Sequence, residues 1–134
     1  MKTFKQHLEE QYLNESLSKK VLHDLEKFAD RLFSKLNIDI AFTKHFKDRI
    51  NDERNEPEIK ASEMVAFFKK AFKKHGKTIR DLGDKAQALL VDLQKELNIP
   101  FVLKWDKENN EFDLIAKTIM RKKDFHSPNK KLTF

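Results

Sequence analysis

One stretch decides the fold class of this chain: Phe101-Val102-Leu103-Lys104-Trp105-Asp106-Lys107-Glu108-Asn109-Asn110-Glu111-Phe112-Asp113-Leu114-Ile115-Ala116. Two apolar runs flank the polar residues 106–110, a pattern typical of two antiparallel strands joined by a hairpin. The second run continues to Arg121, and its alternation places Lys117 and Arg121 on one face of a long strand. A last short strand is predicted over residues 131–134. The C-terminal part of the chain is therefore predicted to form a small antiparallel sheet.

The chain before this hairpin has the apolar spacing of helices. An amphipathic helix is predicted over residues 16–36, with an apolar stripe formed by Leu17, Val21, Leu22, Leu25, Phe28, Leu32, Phe33 and Leu36. Ser16 or Ser18 is placed to cap it, because serine side chains accept hydrogen bonds from the first turn of a helix. Helices followed by a sheet define an α+β fold, with the compact domain at residues 37–134.

Three further segments complete the predicted layout. Residues 38–42 alternate between apolar and polar or small side chains, which indicates a short extended segment. Residues 61–75 are predicted to form a helix that ends at Gly76, because glycine commonly follows the last helical turn. Residues 84–99 are predicted to form another helix, which would end at Pro100.

A further helix is predicted to begin at Phe42. Phe42, Phe46 and Ile50 recur every four residues, so they would lie on one buried face. His45 and Arg49 form a polar row beside them. An imidazole one turn from a guanidinium can place a titratable group beside an anion-binding group, whereas the alternative is that both side chains are simply solvated.

The composition limits the classes of function. A chain of 134 residues fits one domain with a real core, and its lack of cysteine excludes a disulfide scaffold or a thiolate nucleophile. No apolar run approaches the roughly 20 residues of a membrane span. Two glycines are too few for a phosphate-binding loop or a hydrolase elbow, and the five histidines lack the spacing of a zinc site. We therefore expect no metal and no cofactor.

The net charge of +6 and the pI near 9.4 favour a polyanionic partner. The cations are concentrated in one predicted helix and in the segment that follows the long strand. Nucleic-acid contact is predicted for Lys69, Lys70, Lys73, Lys74, Lys122 and Lys123. The alternative is that these lysines form solvated faces.

Residues 1–15 begin Met1-Lys2-Thr3-Phe4 and contain Leu8-Glu9-Glu10 and Leu13-Asn14-Glu15. This segment resembles the capsid-targeting leader of internal head proteins of T-even-type tailed bacteriophages. In such leaders an aliphatic residue, any residue and glutamate precede the cut made by the prohead protease. The resemblance implies cleavage after Glu10 or Glu15, contact with the capsid interior, and a location in the virion interior or in the host cytoplasm. An ordinary N-terminal helix is the alternative.

The body of the chain, from about residue 38 to its end, resembles the RelE, BrnT and barnase-like toxin nucleases. The matching features are a histidine and an arginine in one helix, then a second helix and an antiparallel sheet. The resemblance implies a metal-independent endoribonuclease in which His45 is the acid or base. Arg49, Lys117 and Arg121 would stabilise the phosphate charge, with Arg54 and His126 in reserve.

Three functions follow from these patterns. The first is a virion-associated basic protein that binds nucleic acid, RNA or packaged DNA, and cleaves RNA. The second is a DNA-binding or head-structural protein without catalysis. The third is an adaptor that docks on a partner through the helix at residues 16–36.

Overall fold

The computed structural model describes residues 17–134, and it confirms an α+β fold. The helices are α1 (Lys19–Phe33), α2 (Lys44–Arg49) and α3 (Ala61–Asp81), and a short 3-10 helix at Ser34–Leu36 follows α1. The strands are β1 (Ile38–Phe42), β2 (Gln87–Asp92), β3 (Leu97–Asp106), β4 (Glu111–Ala116), β5 (Met120–Arg121) and β6 (Lys130–Thr133). Strands and helices are therefore interleaved along the chain.

The sheet is mixed, which corrects the prediction of a purely antiparallel sheet. Its strand order is β1-β4-β3-β2-β6, and β5 pairs with β3 beyond the end of β4. The predicted hairpin is present as the antiparallel pair β3–β4. Both outer strands, β1 and β6, are parallel to their neighbours. The predicted long strand is divided, because residues 117–119 interrupt it between β4 and β5.

The apolar stripe of α1 belongs to the main core. Leu25, Ala29 and Phe33 are fully buried in the same cluster as the apolar residues of the sheet and of α3. Ser18 caps the helix by accepting a hydrogen bond from the backbone of Val21 at 3.2 Å. Most of this stripe is thus covered by the rest of the chain, and Phe28, Leu32 and Leu36 are its partly exposed members.

Two carboxylates of α1 protect the outer edge of β1. The backbone N–H of Ile40 donates to Asp30 Oδ1 at 3.0 Å, and that of Phe42 donates to Glu26 Oε2 at 2.6 Å. Unpaired N–H groups at a sheet edge are open to pairing with other strands. These carboxylates therefore close the edge and fix α1 against it.

The prediction of a helix at residues 84–99 is wrong. This part of the chain forms β2, a turn and the start of β3. Five consecutive residues of β2 are buried, so the strand shows no alternation.

The helices cover one face of the sheet. Residues 122–129 cross the opposite face to connect β5, beside β3, with β6, beside β2. We call residues 122–129 the crossover segment and this face of the sheet the crossover face.

Two predicted helix boundaries are also corrected. Helix α3 continues through Gly76 to Asp81. Gly76 is buried against the 3-10 helix, and a Cβ there would lie 2.7 Å from Leu36 Cδ1, so the glycine serves close packing. The helix predicted to begin at Phe42 consists only of α2, because Phe42 is the last residue of β1.

Among residues 17–134, no helix is long and apolar enough to cross a membrane. The predicted cleavage sites at Glu10 and Glu15 lie outside the described residues.

Candidate functional site

Helix α2 is fixed to the end of β4 by Thr43. The Thr43 side chain accepts a hydrogen bond from the Phe46 backbone at 3.0 Å and donates one to the Lys117 carbonyl at 2.9 Å. Its backbone N–H donates to the Ala116 carbonyl at 3.2 Å. These bonds bring the N-terminal end of α2 and Lys117 together. We call Thr43, His45, Arg49 and Lys117 the α2 corner.

His45 is exposed at this corner and makes no hydrogen bond or ion pair with residues 17–134. The next residue, Phe46, is fully buried and stacks on Phe42, with ring centroids 4.3 Å apart. Phe46 therefore holds the helix on the core while the neighbouring imidazole stays accessible. The structure thus agrees with the sequence in separating an apolar face of α2 from a polar one.

Arg49 takes part in a small ionic cluster with the loop that follows α2. Its Nη1 lies 3.2 Å from Asp52 Oδ2, and Arg54 Nε lies 3.0 Å from Asp52 Oδ1. Two guanidinium groups thus share one carboxylate, which leaves a net positive charge. Arg54, with 58% of its side chain exposed, is the more accessible of the two.

Asn55 connects this loop to β5. It is 6% exposed, its Nδ2 donates to the Arg49 carbonyl at 2.8 Å, and its Oδ1 accepts from the Arg121 backbone at 2.8 Å. Sequence reasoning missed this role, because an asparagine in a polar loop is also typical of a solvated turn. Asn55 is the residue through which α2 and β5 are held in one arrangement.

Arg121 is buried, and this position does not suit the phosphate contact that was predicted for it. Its side chain is 6% exposed, and its Nη2 lies 2.6 Å from Glu63 Oε1. The same guanidinium donates to three backbone carbonyls, those of Pro57, Glu58 and Lys95. Since these partners already occupy its donors, Arg121 is withdrawn from the phosphate-binding set.

The electrostatics of Glu63 agree with this pairing. Burial raises the pKa of Glu63, but hydrogen bonds from Arg121 and from the Lys60 backbone, with the charges of Arg121 and Lys95, more than offset it and lower that pKa. The carboxylate is therefore held in its charged form. We call Asn55, Glu63 and Arg121 the Arg121 junction.

Lys117 remains exposed, and its Nζ lies 3.5 Å from Gln87 Oε1, a weak contact. Its contact with Gln87, which precedes the core residue Ala88 in β2, places its side chain on the crossover face. Of the four residues predicted for catalysis, the structure places His45 and Arg49 on α2, and it joins the backbone carbonyl of Lys117 to Thr43 at the start of that helix. It turns the fourth, Arg121, inward.

The lysines predicted to bind nucleic acid fall on two sides of the molecule. Lys69, Lys70, Lys73 and Lys74 are exposed on α3, in the helical layer. Lys70 Nζ also lies 3.8 Å from Oδ2 of the buried Asp92. Lys122 and Lys123 are exposed on the crossover segment. A single contact face does not include both groups.

Pairing of β1 with β4 produces an acidic cluster that the sequence analysis missed. Asp39 lies opposite Asp113, and carboxylate oxygens of Asp39, Glu111 and Asp113 lie within 4.8 Å of one another. A hydrogen bond with Asp30, burial, and the charges of Asp30, Asp113 and Glu111 raise the pKa of Asp39 to about 7. Only the strand pairing, which is not local in sequence, reveals this cluster.

No protein-family model, curated protein or solved structure matches this chain. The resemblances to phage head proteins and to toxin nucleases therefore rest on the residues themselves.

Proposed function

We propose that this protein binds nucleic acid and cleaves RNA without a metal ion, with the α2 corner as its active site. The observation that carries the proposal is the state of His45. This imidazole is accessible and has no partner within residues 17–134, yet it sits on a helix fixed by the buried Phe46 and capped by Thr43. A general base needs this combination of a free proton acceptor and a fixed position.

The chemistry follows from the groups around His45. As general base it takes the proton of a ribose 2′-hydroxyl, and the 2′-oxygen attacks the adjacent phosphorus. The 5′-oxygen leaves and takes a proton from water, which yields a 2′,3′-cyclic phosphate and a free 5′-hydroxyl. Arg49, Arg54 and Lys117 provide the positive charge that stabilises the pentacoordinate phosphate. Arg54 thus replaces the buried Arg121 in this role.

The direct test is RNA degradation by the purified chain in excess EDTA. We expect cleavage by the wild type and a loss of about 10²–10⁴-fold in the His45→Ala variant, the usual contribution of general acid–base catalysis. The matched control is His23→Ala, which removes another exposed histidine, on α1. Absence of metal-free cleavage, or full activity in His45→Ala, would refute the assignment.

A second candidate function has its own observation. The four exposed lysines of α3 form a basic row separate from the α2 corner. Such a row suits DNA binding without catalysis, as in a head-structural protein that neutralises packaged DNA. Salt-sensitive DNA binding by a chain that leaves RNA intact would support this candidate over the nuclease.

For the location, we propose that the protein is packaged inside a phage head after removal of its N-terminal leader. The support is the sequence of residues 1–15 alone. Mass spectrometry of assembled particles should find a chain that begins after Glu10 or Glu15. An intact chain from Met1 to Phe134 in such particles would contradict the proposed processing.

A further inference from the structure

The crossover segment does not lie flat on the sheet. It leaves a cavity of about 200 Å³ between itself, the C-terminal ends of β2 and β6, and the first residues of β3. Its charged rim includes Lys122, Lys123 and Lys131, and its apolar wall includes Leu93 and Phe125. We call this space the crossover cavity. It is separate from the α2 corner and from the α3 lysines.

Asn98 forms part of the lining and is 2% exposed. Its Nδ2 donates to the carbonyls of Glu96, Met120 and Lys122, at 3.2, 3.0 and 2.9 Å. Three acceptors around one atom fix the orientation of the amide. Its Oδ1 accepts no hydrogen bond from residues 17–134, and it is therefore an available acceptor in the wall of a cavity.

From these groups we infer that the crossover cavity binds one nucleotide unit of a single-stranded RNA. The ammonium groups of Lys122, Lys123 and Lys131 match a phosphate, Phe125 and Leu93 match the face of a base, and Asn98 Oδ1 matches an N–H on the base edge. The carboxylates of Glu96 and Asp124 also line the cavity, where they suit ribose hydroxyls. The volume of about 200 Å³ suits a base, with the ribose and the phosphate at the charged rim, and it excludes a duplex.

The position of the cavity relates it to the proposed nuclease. Lys117 and the cavity share the crossover face, and the chain from Lys117 leads through β5 to Lys122. Lys117 is thus the cation of the α2 corner that lies on the same face as RNA held in the cavity. The inference rests on the proposed function for its RNA substrate, whereas the binding of a mononucleotide does not require catalysis.

The test is an NMR titration of the ¹⁵N-labelled full chain with the four 5′-nucleoside monophosphates. Ribose 5-phosphate and inorganic phosphate serve as the probes without a base. We expect the nucleotides to shift the amide signals of Asn98, Lys122 and Phe125 and to leave the hairpin at residues 106–110 unchanged. Equal shifts with inorganic phosphate alone, or no shifts at the cavity, would overturn the inference.

Two variants separate the phosphate contact from the base contact. Lys122→Gln combined with Lys131→Gln should weaken nucleotide binding by roughly tenfold or more, since a hydrogen bond to a charged group is worth about 1.5–3 kcal/mol. Lys107→Gln, on the hairpin, is the matched control and should bind as the wild type does. Phe125→Leu keeps an apolar wall, so it should weaken nucleotide binding and leave ribose 5-phosphate binding unchanged. Unaltered nucleotide affinity in both cavity variants would refute the site.

A single-stranded RNA oligonucleotide distinguishes a strand site from a site for free nucleotides. Its binding to the His45→Ala chain should be weakened by the same lysine replacements, because this chain holds the RNA without cutting it. Binding of mononucleotides but not of the oligonucleotide at the cavity would overturn the RNA assignment. A wild-type chain that binds nucleotides at the cavity but does not cleave RNA would refute the nuclease alone. A chain that cleaves RNA but binds no nucleotide at the cavity would refute the cavity site alone.

Discussion

The Arg121 junction and the α2 corner each contain an arginine among polar side chains, but they differ in burial. At the junction, Arg121 is almost fully covered and its donors are occupied by Glu63 and by backbone carbonyls. At the corner, His45 is exposed and has no partner in the described part of the chain. A buried charge is costly unless it is paired, so the junction must hold its partners. The burial of the junction assigns it to stability, whereas the accessible His45 suits the chemistry that we propose for the corner.

The largest expected effect is on the free energy of unfolding at the junction. Arg121→Leu leaves Glu63 partly buried without its cation, which should cost about 3–5 kcal/mol. Chemical denaturation monitored by circular dichroism measures this loss. The matched control is Arg54→Leu, which breaks an exposed ion pair worth about 1 kcal/mol or less. An Arg121→Leu variant as stable as the control would remove the difference between the two regions.

The acidic cluster extends the comparison to a group with neighbours of like charge. Because the pKa of folded Asp39 is about 7 and the ordinary value is 3.8, the folded state binds the extra proton between these values. The binding of this proton stabilises the folded state. The stabilisation is fully present below about pH 3.8 and is lost as the pH rises through 7.

Asp39→Asn removes that dependence. At pH 8 the melting temperature of the variant should be roughly 3–5 °C above that of the wild type. This shift corresponds to about 1 kcal/mol of unfolding free energy for a chain of this size. At pH 3.8 the two proteins should melt closer together. Thermal unfolding across this pH range measures the effect, and parallel profiles for the two proteins would contradict the raised pKa.

The smallest effect on the folded state is expected at the exposed lysines of α3. Replacing Lys73 and Lys74 by glutamine, with Lys70 kept beside the buried Asp92, should leave the unfolding free energy within about 0.5 kcal/mol of the wild type. The log–log dependence of DNA affinity on salt should flatten, by about 0.9 for each phosphate contact that is lost. Fluorescence anisotropy at several salt concentrations measures this slope. An unchanged slope would mean that the lysines are only solvated.

Local periodicity predicted the elements that bury one face. Helix α1, strand β1 and the β3–β4 hairpin follow from the spacing of their apolar residues. Strand β2 was missed because the crossover segment covers its second face, and burial on both faces removes the alternation by which a strand is recognised.

Long-range contacts explain what the sequence did not reveal about the site. Arg121 and Glu63 are 58 residues apart, so no local pattern shows that the arginine is occupied. The approach of Lys117 to α2 depends on the parallel pairing of β1 with β4, which the hairpin pattern does not imply. By contrast, the exposure of His45 beside the buried Phe46 follows from local spacing, and this part of the site was predictable.

One paired measurement tests whether the Arg121 junction provides stability and the α2 corner provides chemistry. It records the free energy of unfolding and the rate of RNA cleavage in EDTA for the wild type and for His45→Ala. If stability and chemistry are divided in this way, the two unfolding free energies lie within about 0.5 kcal/mol of each other. The rate of RNA cleavage by His45→Ala is then about 10²–10⁴-fold below that of the wild type. A variant that unfolds, or one that cleaves RNA at the wild-type rate, would contradict this division.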